Sequence, residues 1–238
     1  MSVQGVKNLA HVPELWRKLG WTFAILLAYR LGIHVPIPGV DAKAMADFFA
    51  QAQGTLFGVF DMFSGGGLRN VSIFALGVMP YISASIIMQL LQVLSPDLKR
   101  MAKEEGGTGR KKITQYTRYA TVLITLVQGF GLAAMLEGMA SPHGAPMVPE
   151  PGMMFRLVTI ITMTAGTILI MWLGEQITAK GLGNGISLII FSGIVAGIPR
   201  AIGHTYAFLG DTIPYVLLPI ILIIMAVVVL AIVFMERA

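Results

Sequence analysis

Few residues in this chain have the types and spacing that catalysis or metal binding needs. The sequence contains no cysteine, which excludes a disulfide framework, a thiolate metal site and a cysteine nucleophile. Its four histidines lack the spacing of metal ligands. A proton-coupled pump or an intramembrane metalloprotease would require a pair of Asp or Glu residues inside an apolar stretch, and the sequence has no such pair. We therefore predict that the chain is not an enzyme and uses no metal or cofactor.

One glycine-rich segment, GLGNGI at residues 181–186, briefly resembles a dinucleotide-binding loop. However, Ile186 stands where G-x-G-x-x-G has its third glycine, and no strand pattern precedes the segment. A flexible start to the next apolar stretch explains these glycines better.

The composition is that of a membrane protein. Of the 238 residues, 12% are charged and 55% are hydrophobic. Soluble domains carry about 25% charged residues, because water must wet their surface. The missing charge indicates a surface that faces lipid, and we predict an all-α integral membrane protein with a single membrane domain.

Six apolar segments are long enough for transmembrane helices, which need about 20 residues each. Arg30 interrupts the first segment, whereas the second contains no charged residue. The sixth is the most apolar and runs directly into Glu236 and Arg237. The predicted spans are residues 19–36, 71–94, 116–137, 154–175, 182–199 and 213–235.

Basic residues fall mainly on one side of these spans. Of the 17 Lys and Arg residues, 12 lie on the side of the N-terminus, most densely between the second and third spans. The positive-inside rule then places the N-terminus in the cytoplasm. Residues 44–46 resemble a signal-peptide cleavage site. Because Arg30 splits the apolar stretch before that site, we expect an uncleaved first helix.

The connection between the first two spans is too apolar to be a plain loop. Large apolar residues recur there at helical spacing, which predicts a short amphipathic helix within residues 44–63. Three glycines follow Ser64, and glycine adopts backbone angles that other residues avoid. The pattern predicts a broken helix, which membranes tolerate only where it is buried or lines a watery cavity. The alternative is an interfacial helix on the outer leaflet.

Polar side chains lie at depth in the second and third spans. Ser83, Ser85 and Gln89 fall within the second span, and Gln128 falls within the third. Such residues either hydrogen-bond neighbouring helices together or line a face that meets water or substrate. Composition leaves both interpretations open.

Six ordered segments make the sequence resemble the SecY family of protein-conducting channels along essentially its whole length. The segments are PIPGVD at 36–41, DMFSGG at 61–66, SIFALGVMPYISASI at 72–86, RKKITQYTR at 110–118, WLGEQIT at 172–178 and GNGIS at 183–187.

The resemblance implies roles for particular residues. In that family a short outer helix, the plug, seals the resting channel, and by position it corresponds to residues 55–69 here. A ring of aliphatic side chains forms the constriction, which excludes ions by dewetting. Spans two and three line one side of a lateral gate, through which signal sequences and nascent transmembrane helices leave for lipid. The matching residues are Phe57, Phe60, Phe63, Ser64 and Gly65 in the plug, Val78, Ile82 and Ile190 in the ring, and Ser83, Ile86, Ile87, Gln89 and Gln128 at the gate.

The resemblance also implies location and partners. Arg110, Lys111 and Lys112 lie in a basic loop that would face the SecA motor or the ribosome. SecE and SecG would accompany the chain in the bacterial cytoplasmic (inner) membrane, with signal peptides, nascent chains and lipid as further ligands and no nucleic-acid substrate. The implied function is that of the central channel subunit, which moves unfolded secretory proteins across the membrane and releases transmembrane segments into it.

Family members have ten transmembrane helices, in two pseudo-symmetric halves of five that close like a clamshell. This sequence matches the first half plus the sixth helix. It is therefore either part of a longer protein or a half that pairs with another. The alternative functions are a small self-associating half-channel or transporter, or an inactive fragment. An intramembrane enzyme lacks any nucleophile–base or metal constellation here.

Overall fold

The computed structural model describes residues 13–51, 55–103, 106–140, 144–208 and 217–237. These residues form nine α-helices and, apart from two isolated antiparallel bridges, no β-structure. The prediction of an all-α fold is thus confirmed for the part of the chain that is described. The helices are α1 (Pro13–Gly32), α2 (Ala42–Gln51), α3 (Leu56–Phe63), α4 (Met79–Leu94), α5 (Pro96–Lys103), α6 (Gly106–Gly138), α7 (Met153–Lys180), α8 (Gly185–Phe208) and α9 (Leu217–Arg237).

Three of these helices are long and apolar enough to cross a membrane, judged by length and composition over the described residues. They are Gly107–Gly138, Met153–Lys180 and Pro219–Glu236, and two shorter apolar helices are Met79–Leu94 and Gly185–Pro199. The number of crossings remains a prediction. Residues 213–216 of the sixth predicted span lie outside the described residues.

Helix α4 begins at Met79, although the second predicted span starts at residue 71. Residues 64–78, here called the break segment, form consecutive turns instead. Within it Val71 and Gly77 have φ angles of +42° and +55°, which no α-helix accommodates. Pro80 then lies in the first turn of α4, where its missing N–H costs nothing. The apolar stretch is therefore helical only in its second part.

Two other predicted boundaries differ from the structure. The amphipathic helix predicted within residues 44–63 is divided into α2 and α3, and the intervening residues 52–54 are outside the described part. Helix α6 starts at Gly106, before the predicted span 116–137, so the basic residues predicted for a loop lie on its first turns. At 33 residues, α6 is about 50 Å long, which exceeds a hydrocarbon core of about 30 Å.

The chain divides into two compact units, residues 1–196 and 197–238, and each is described by itself. In the first unit α6 packs against α4, α5 and α7, and α1 packs against α7. Its core has two parts. Cluster A comprises Ile37, Ala44, Met45, Phe49, Val71, Ala75, Ala133, Leu136, Met147, Val148, Phe155 and Met163. Cluster B comprises Ile25, Tyr29, Ile33, Phe74, Val78, Ile170, Leu173, Ile177 and Ile189.

The second unit contains α9, the most apolar of the candidate spans. Its residues Pro219–Glu236 have a mean hydropathy of 2.9 and are exposed throughout. A helix that is apolar on all sides is typical of a membrane span.

Candidate functional site

Backbone N–H and carbonyl groups of the break segment hydrogen-bond to one another although the segment is not helical. The Ser72 N–H donates to the Gly67 carbonyl at 2.9 Å, and the Gly77 N–H donates to the Phe74 carbonyl at 2.8 Å. The Ala75 N–H donates to the Ser72 carbonyl at 2.8 Å. Irregular backbone at membrane depth requires such internal partners because lipid supplies none.

The break segment is also anchored to the chain that follows α1. The Ile37 N–H donates to the Val71 carbonyl at 2.8 Å, and the Ile73 N–H donates to the Val35 carbonyl at 3.0 Å. On its other side, a β-carbon on Gly166 of α7 would overlap the Ile73 carbonyl. The segment is thus fixed between α1 and α7, and it determines where α4 begins.

The three residues predicted for the ring are brought together in the structure. Val78 caps the start of α4, Ile82 lies one turn further on, and Ile190 lies on α8. Val78 belongs to cluster B, where it is 3% exposed, and Ile82 and Ile190 pack against the same cluster. All three therefore contribute to one apolar cluster, in which Val78 is buried and the two isoleucines are partly exposed.

The residues predicted for the plug lie on α3 and the turn that follows it. Phe57 is half-buried against cluster A and meets Phe48 edge to face, with ring centroids 5.7 Å apart. Phe60 and Phe63 are 48% and 38% exposed. Helix α3 therefore packs against cluster A through Phe57 and leaves the rings of Phe60 and Phe63 partly exposed.

Ser64 and Gly65, the other two predicted plug residues, are buried and hydrogen-bonded to α1. The Tyr29 hydroxyl donates to the Ser64 carbonyl at 3.1 Å, and Arg30 Nη1 donates to the Gly65 carbonyl at 2.7 Å. Sequence reasoning noticed Arg30 only as an interruption of the first span. Its partner is 35 residues away along the chain, so no local pattern indicates the contact.

A crevice of about 290 Å³ joins the plug residues to one of the predicted gate residues. Its walls come from α3, the break segment, the start of α4 and α6, and they include Phe57, Phe60, Ser64, Met79 and Gln128. Gln128 therefore lies beside α3 rather than in a purely apolar helix contact.

The other predicted gate residues are spread along α4. Ser83 is half-buried, and Ile86 and Ile87 are exposed. Gln89 donates to the Ser85 hydroxyl of its own helix at 3.4 Å. Gln89 lies ten residues beyond Met79, the α4 residue that lines the crevice together with Gln128, which corresponds to about 15 Å of helix. The structure therefore places the two amides at different levels.

Arg110, Lys111 and Lys112 are exposed on the first turns of α6. Further along this helix, Arg118 forms a two-pronged ion pair with Glu175 of α7, with N–O distances of 2.8 and 2.6 Å. Both residues lie in the motifs that suggested the family, but their pairing across 57 residues was not predicted.

This ion pair lies in the wall of an open cavity of about 700 Å³. Hydroxyl and amide side chains form much of the lining, together with Ile186, which also packs against cluster B. The polar lining residues are Tyr81, Thr114, Arg118, Glu175, Gln176, Thr178 and Asn184. A cavity with many polar side chains in its lining thus borders the cluster that holds the predicted ring.

A second ion pair joins the opposite ends of α6 and α7. Glu137 Oε2 lies 2.6 Å from Arg156 Nη2, and Glu137 Oε1 accepts a hydrogen bond from the Gly152 N–H at 2.9 Å. The α6–α7 contact therefore holds two ion pairs of a carboxylate with a guanidinium, at two separate levels along the helices.

Near the start of α1, Lys18 lies 3.1 Å from Glu14. The hydrogen bond and positive charge of Lys18 lower the pKa of the Glu14 carboxyl. On the same end of the helix, the Lys180 ammonium lies 5.5 Å from the centroid of the Trp21 ring.

Among the described residues, no three His, Asp or Glu side chains converge as a metal site would need.

These observations define an all-helical membrane protein, with an irregular segment buried between helices and an apolar cluster that gathers Val78, Ile82 and Ile190. The SecY family model matches residues 72–238, and the chain therefore belongs to the SecY family. Protein translocase subunit SecY of Aquifex aeolicus is 49% identical over 91% of this chain. The corresponding subunits of Pseudomonas aeruginosa and Escherichia coli K12 are each 48% identical, over 95% and 94% of the chain.

The chain spans about half the length of these curated relatives, 51% of the first and 50% of the other two. Two solved structures share its fold: a protein-conducting channel, and Sec61 in the canine ribosome–channel complex from the endoplasmic reticulum. Each match has a TM-score of 0.54 and 18% sequence identity, and it covers 77% of this chain and 37% of the matched chain.

Proposed function

We propose that the chain forms one wall of a protein-conducting channel, through which unfolded secretory proteins cross the membrane. The observation that carries this proposal is the gathering of Val78, Ile82 and Ile190 at one apolar cluster. A narrow apolar ring resists wetting and so excludes ions, yet it makes no specific bond that would stop a passing chain. The names of the relatives, translocase subunits in each case, support this function.

In this proposal α3 is the plug. Its attachment through Phe57 and the Ser64–Gly65 turn, and the exposure of Phe60 and Phe63, support a small element that can leave without unfolding its neighbours. The break segment is also tied to α3, because the N–H groups of Gly66 and Arg69 donate to the carbonyl and carboxylate of Asp61, each at 2.8 Å. In this proposal those bonds break or move with α3, while the bonds of the segment to Val35 and Ile37 hold the start of α4.

The faces of α4 and α6 form one side of the lateral gate. Ile86 and Ile87 present apolar surface to a nascent transmembrane helix, and Gln128 supplies an amide inside the crevice next to α3. Amides at such positions can hydrogen-bond a partner helix and exchange that partner for another.

The chain acts without catalysis in the bacterial inner membrane, with its N-terminus on the cytoplasmic side. Arg110, Lys111 and Lys112, exposed on α6, face SecA or the ribosome, and SecE and SecG complete the assembly. In this proposal SecA or the ribosome supplies the driving force.

Site-specific crosslinking tests this function. The sequence has no cysteine, so a single cysteine at Ile82, Ile190 or the exposed α9 residue Val228 is the only thiol within these 238 residues. A precursor with one cysteine is stalled during translocation through the channel in its native membrane. Disulfides are expected from positions 82 and 190 and not from 228. Equal crosslinking at all three positions would refute the pore assignment.

A further inference from the structure

Arg30 lies inside the first predicted span, and the proposed function gives it no role. A charged side chain within a membrane segment is energetically costly and usually serves a function. The side chain is partly buried, and its guanidinium reaches the turn after α3.

Arg30 and its neighbour Tyr29 bind two consecutive carbonyls at the end of α3. Arg30 Nη1 donates to the Gly65 carbonyl at 2.7 Å, and the Tyr29 hydroxyl donates to the Ser64 carbonyl at 3.1 Å. Carbonyls at a helix C-terminus lack intrahelical partners and carry partial negative charge. A guanidinium and a phenol are therefore well suited to hold this end of α3.

The donor side of this contact is rigid. Tyr29 is 1% exposed and stacks on Phe74 of the break segment, with ring centroids 5.6 Å apart. The two donors also lie on α1, which packs against α7. Movement at this contact therefore has to come from α3 and its turn.

The break segment has attachments of its own beyond this contact. The Asn70 amide donates to the Ile33 carbonyl at 3.4 Å, and Ile73 is hydrogen-bonded to Val35. Losing the two bonds at Ser64 and Gly65 would detach the end of α3 from α1 and leave the start of α4 anchored. The end of α3 would then be held through Asp61, which accepts from the N–H groups of Gly66 and Arg69. The contact is thus placed between a movable element and a fixed one.

We propose that Tyr29 and Arg30 form a latch that holds α3 in its resting position, and that the channel opens only when these two hydrogen bonds break. The latch rests on the proposed function of α3 as the plug. Tyr29 and Arg30 are positioning residues, since they act through the turn and touch no translocating chain.

The test measures resting ion conductance of the channel, purified from its native membrane and reconstituted in planar bilayers. Tyr29→Phe removes one hydroxyl and keeps the stack on Phe74, and the open fraction at rest is expected to rise about threefold. Arg30→Gln removes a charge-assisted bond, and the expected rise is about tenfold. Arg30→Lys keeps a cationic donor and should restore much of the closed state.

Arg156→Gln is the matched control, because it removes a cation from the Glu137 ion pair without touching the turn after α3. Its resting conductance should equal that of the wild type. Unchanged conductance in folded Tyr29→Phe and Arg30→Gln channels would overturn the latch, as would an equal rise in Arg156→Gln.

A third variant, in which Gly and Ser residues replace Leu56–Phe63, separates the latch from the plug. If that replacement raises conductance and the latch variants do not, the latch alone fails. If even that replacement leaves conductance unchanged, α3 is not the plug, and the proposed function fails at that point.

Discussion

The backbones of Gly65 and Gly193 are in direct contact. A β-carbon on Gly65 would lie 3.0 Å from the Gly193 α-carbon, and one on Gly193 would lie 3.1 Å from the Gly65 α-carbon. Gly65 also has a φ of +67°, which disfavours any side chain. The turn after α3 therefore fits against α8 only because both positions lack a side chain.

Gly193→Ala is expected to destabilise the folded protein by about 1–2 kcal/mol, because the new methyl group overpacks the contact. Thermal or denaturant unfolding in detergent measures the change. The control is Gly20→Ala in α1, where a β-carbon would have no neighbour within 4 Å. There alanine should be neutral or stabilise the helix by up to about 1 kcal/mol. A gain at both positions would show that the glycine contact tolerates a side chain.

Replacing Leu56–Phe63 with a Gly/Ser segment of the same length is expected to raise the resting ion leak. The change removes the aromatic side chains of α3 together with Asp61, whose carboxylate accepts from the Arg69 N–H. It retains Gly67, whose carbonyl accepts from Ser72 in the break segment. Deleting residues 55–69 would remove that acceptor as well, so a leak in the deletion variant would be harder to interpret. Single-channel recording measures the leak, and a wild-type conductance would argue against α3 as the seal.

The hydrophobic pattern indicates where long helices lie because mean hydropathy is a property of a whole segment, whereas the crossings themselves stay a prediction. Residues 154–175 fall within α7, and residues 116–137 fall within α6. The start of α4 was wrong by eight residues, because hydropathy does not distinguish apolar helix from apolar turn. Gly77 and Pro80 carried the missing information, since they mark where a helix cannot continue and where one can begin.

The contacts that organise the candidate site were less predictable. Arg30 and Gly65 are 35 residues apart, and Arg118 and Glu175 are 57 residues apart. Such pairs depend on how α1, α6 and α7 pack, which single-sequence periodicity does not specify. The cluster containing Val78 was found only through the family resemblance.

Arg118 and Glu175 should contribute coupling energy to the α6–α7 contact. Their side chains are 48% and 25% exposed, so water screens the pair, and about 0.5 kcal/mol is expected. A double-mutant cycle with Arg118→Gln and Glu175→Gln, followed by unfolding in detergent, measures the coupling. The value should fall as salt is added. A salt-independent coupling would mean that the pair is more enclosed than its exposure indicates.

Lys18 should control the titration of Glu14 at the start of α1. The lowered pKa of Glu14 means that folding favours its carboxylate. The associated stability is therefore present above the unfolded-state pKa and is lost as the pH falls through the lower, folded-state value. Lys18→Gln should return the Glu14 pKa toward its ordinary value, as a carbon-13 titration of the carboxyl would measure. No change would assign the shift to another cause.

Val78 and Ile82 should respond differently to truncation, although both are predicted for the ring. Val78 is enclosed in cluster B, so Val78→Ala leaves a cavity and is expected to cost about 2 kcal/mol of folding stability. Ile82 is half-buried, so Ile82→Ala should cost less. However, it widens the apolar constriction and should raise ion conductance while a chain is crossing, because a wider ring wets more easily. Unfolding and conductance measured on both variants distinguish the two roles. If Ile82→Ala leaves conductance unchanged and lowers stability as much as Val78→Ala, both residues belong to the core, and the ring must lie elsewhere.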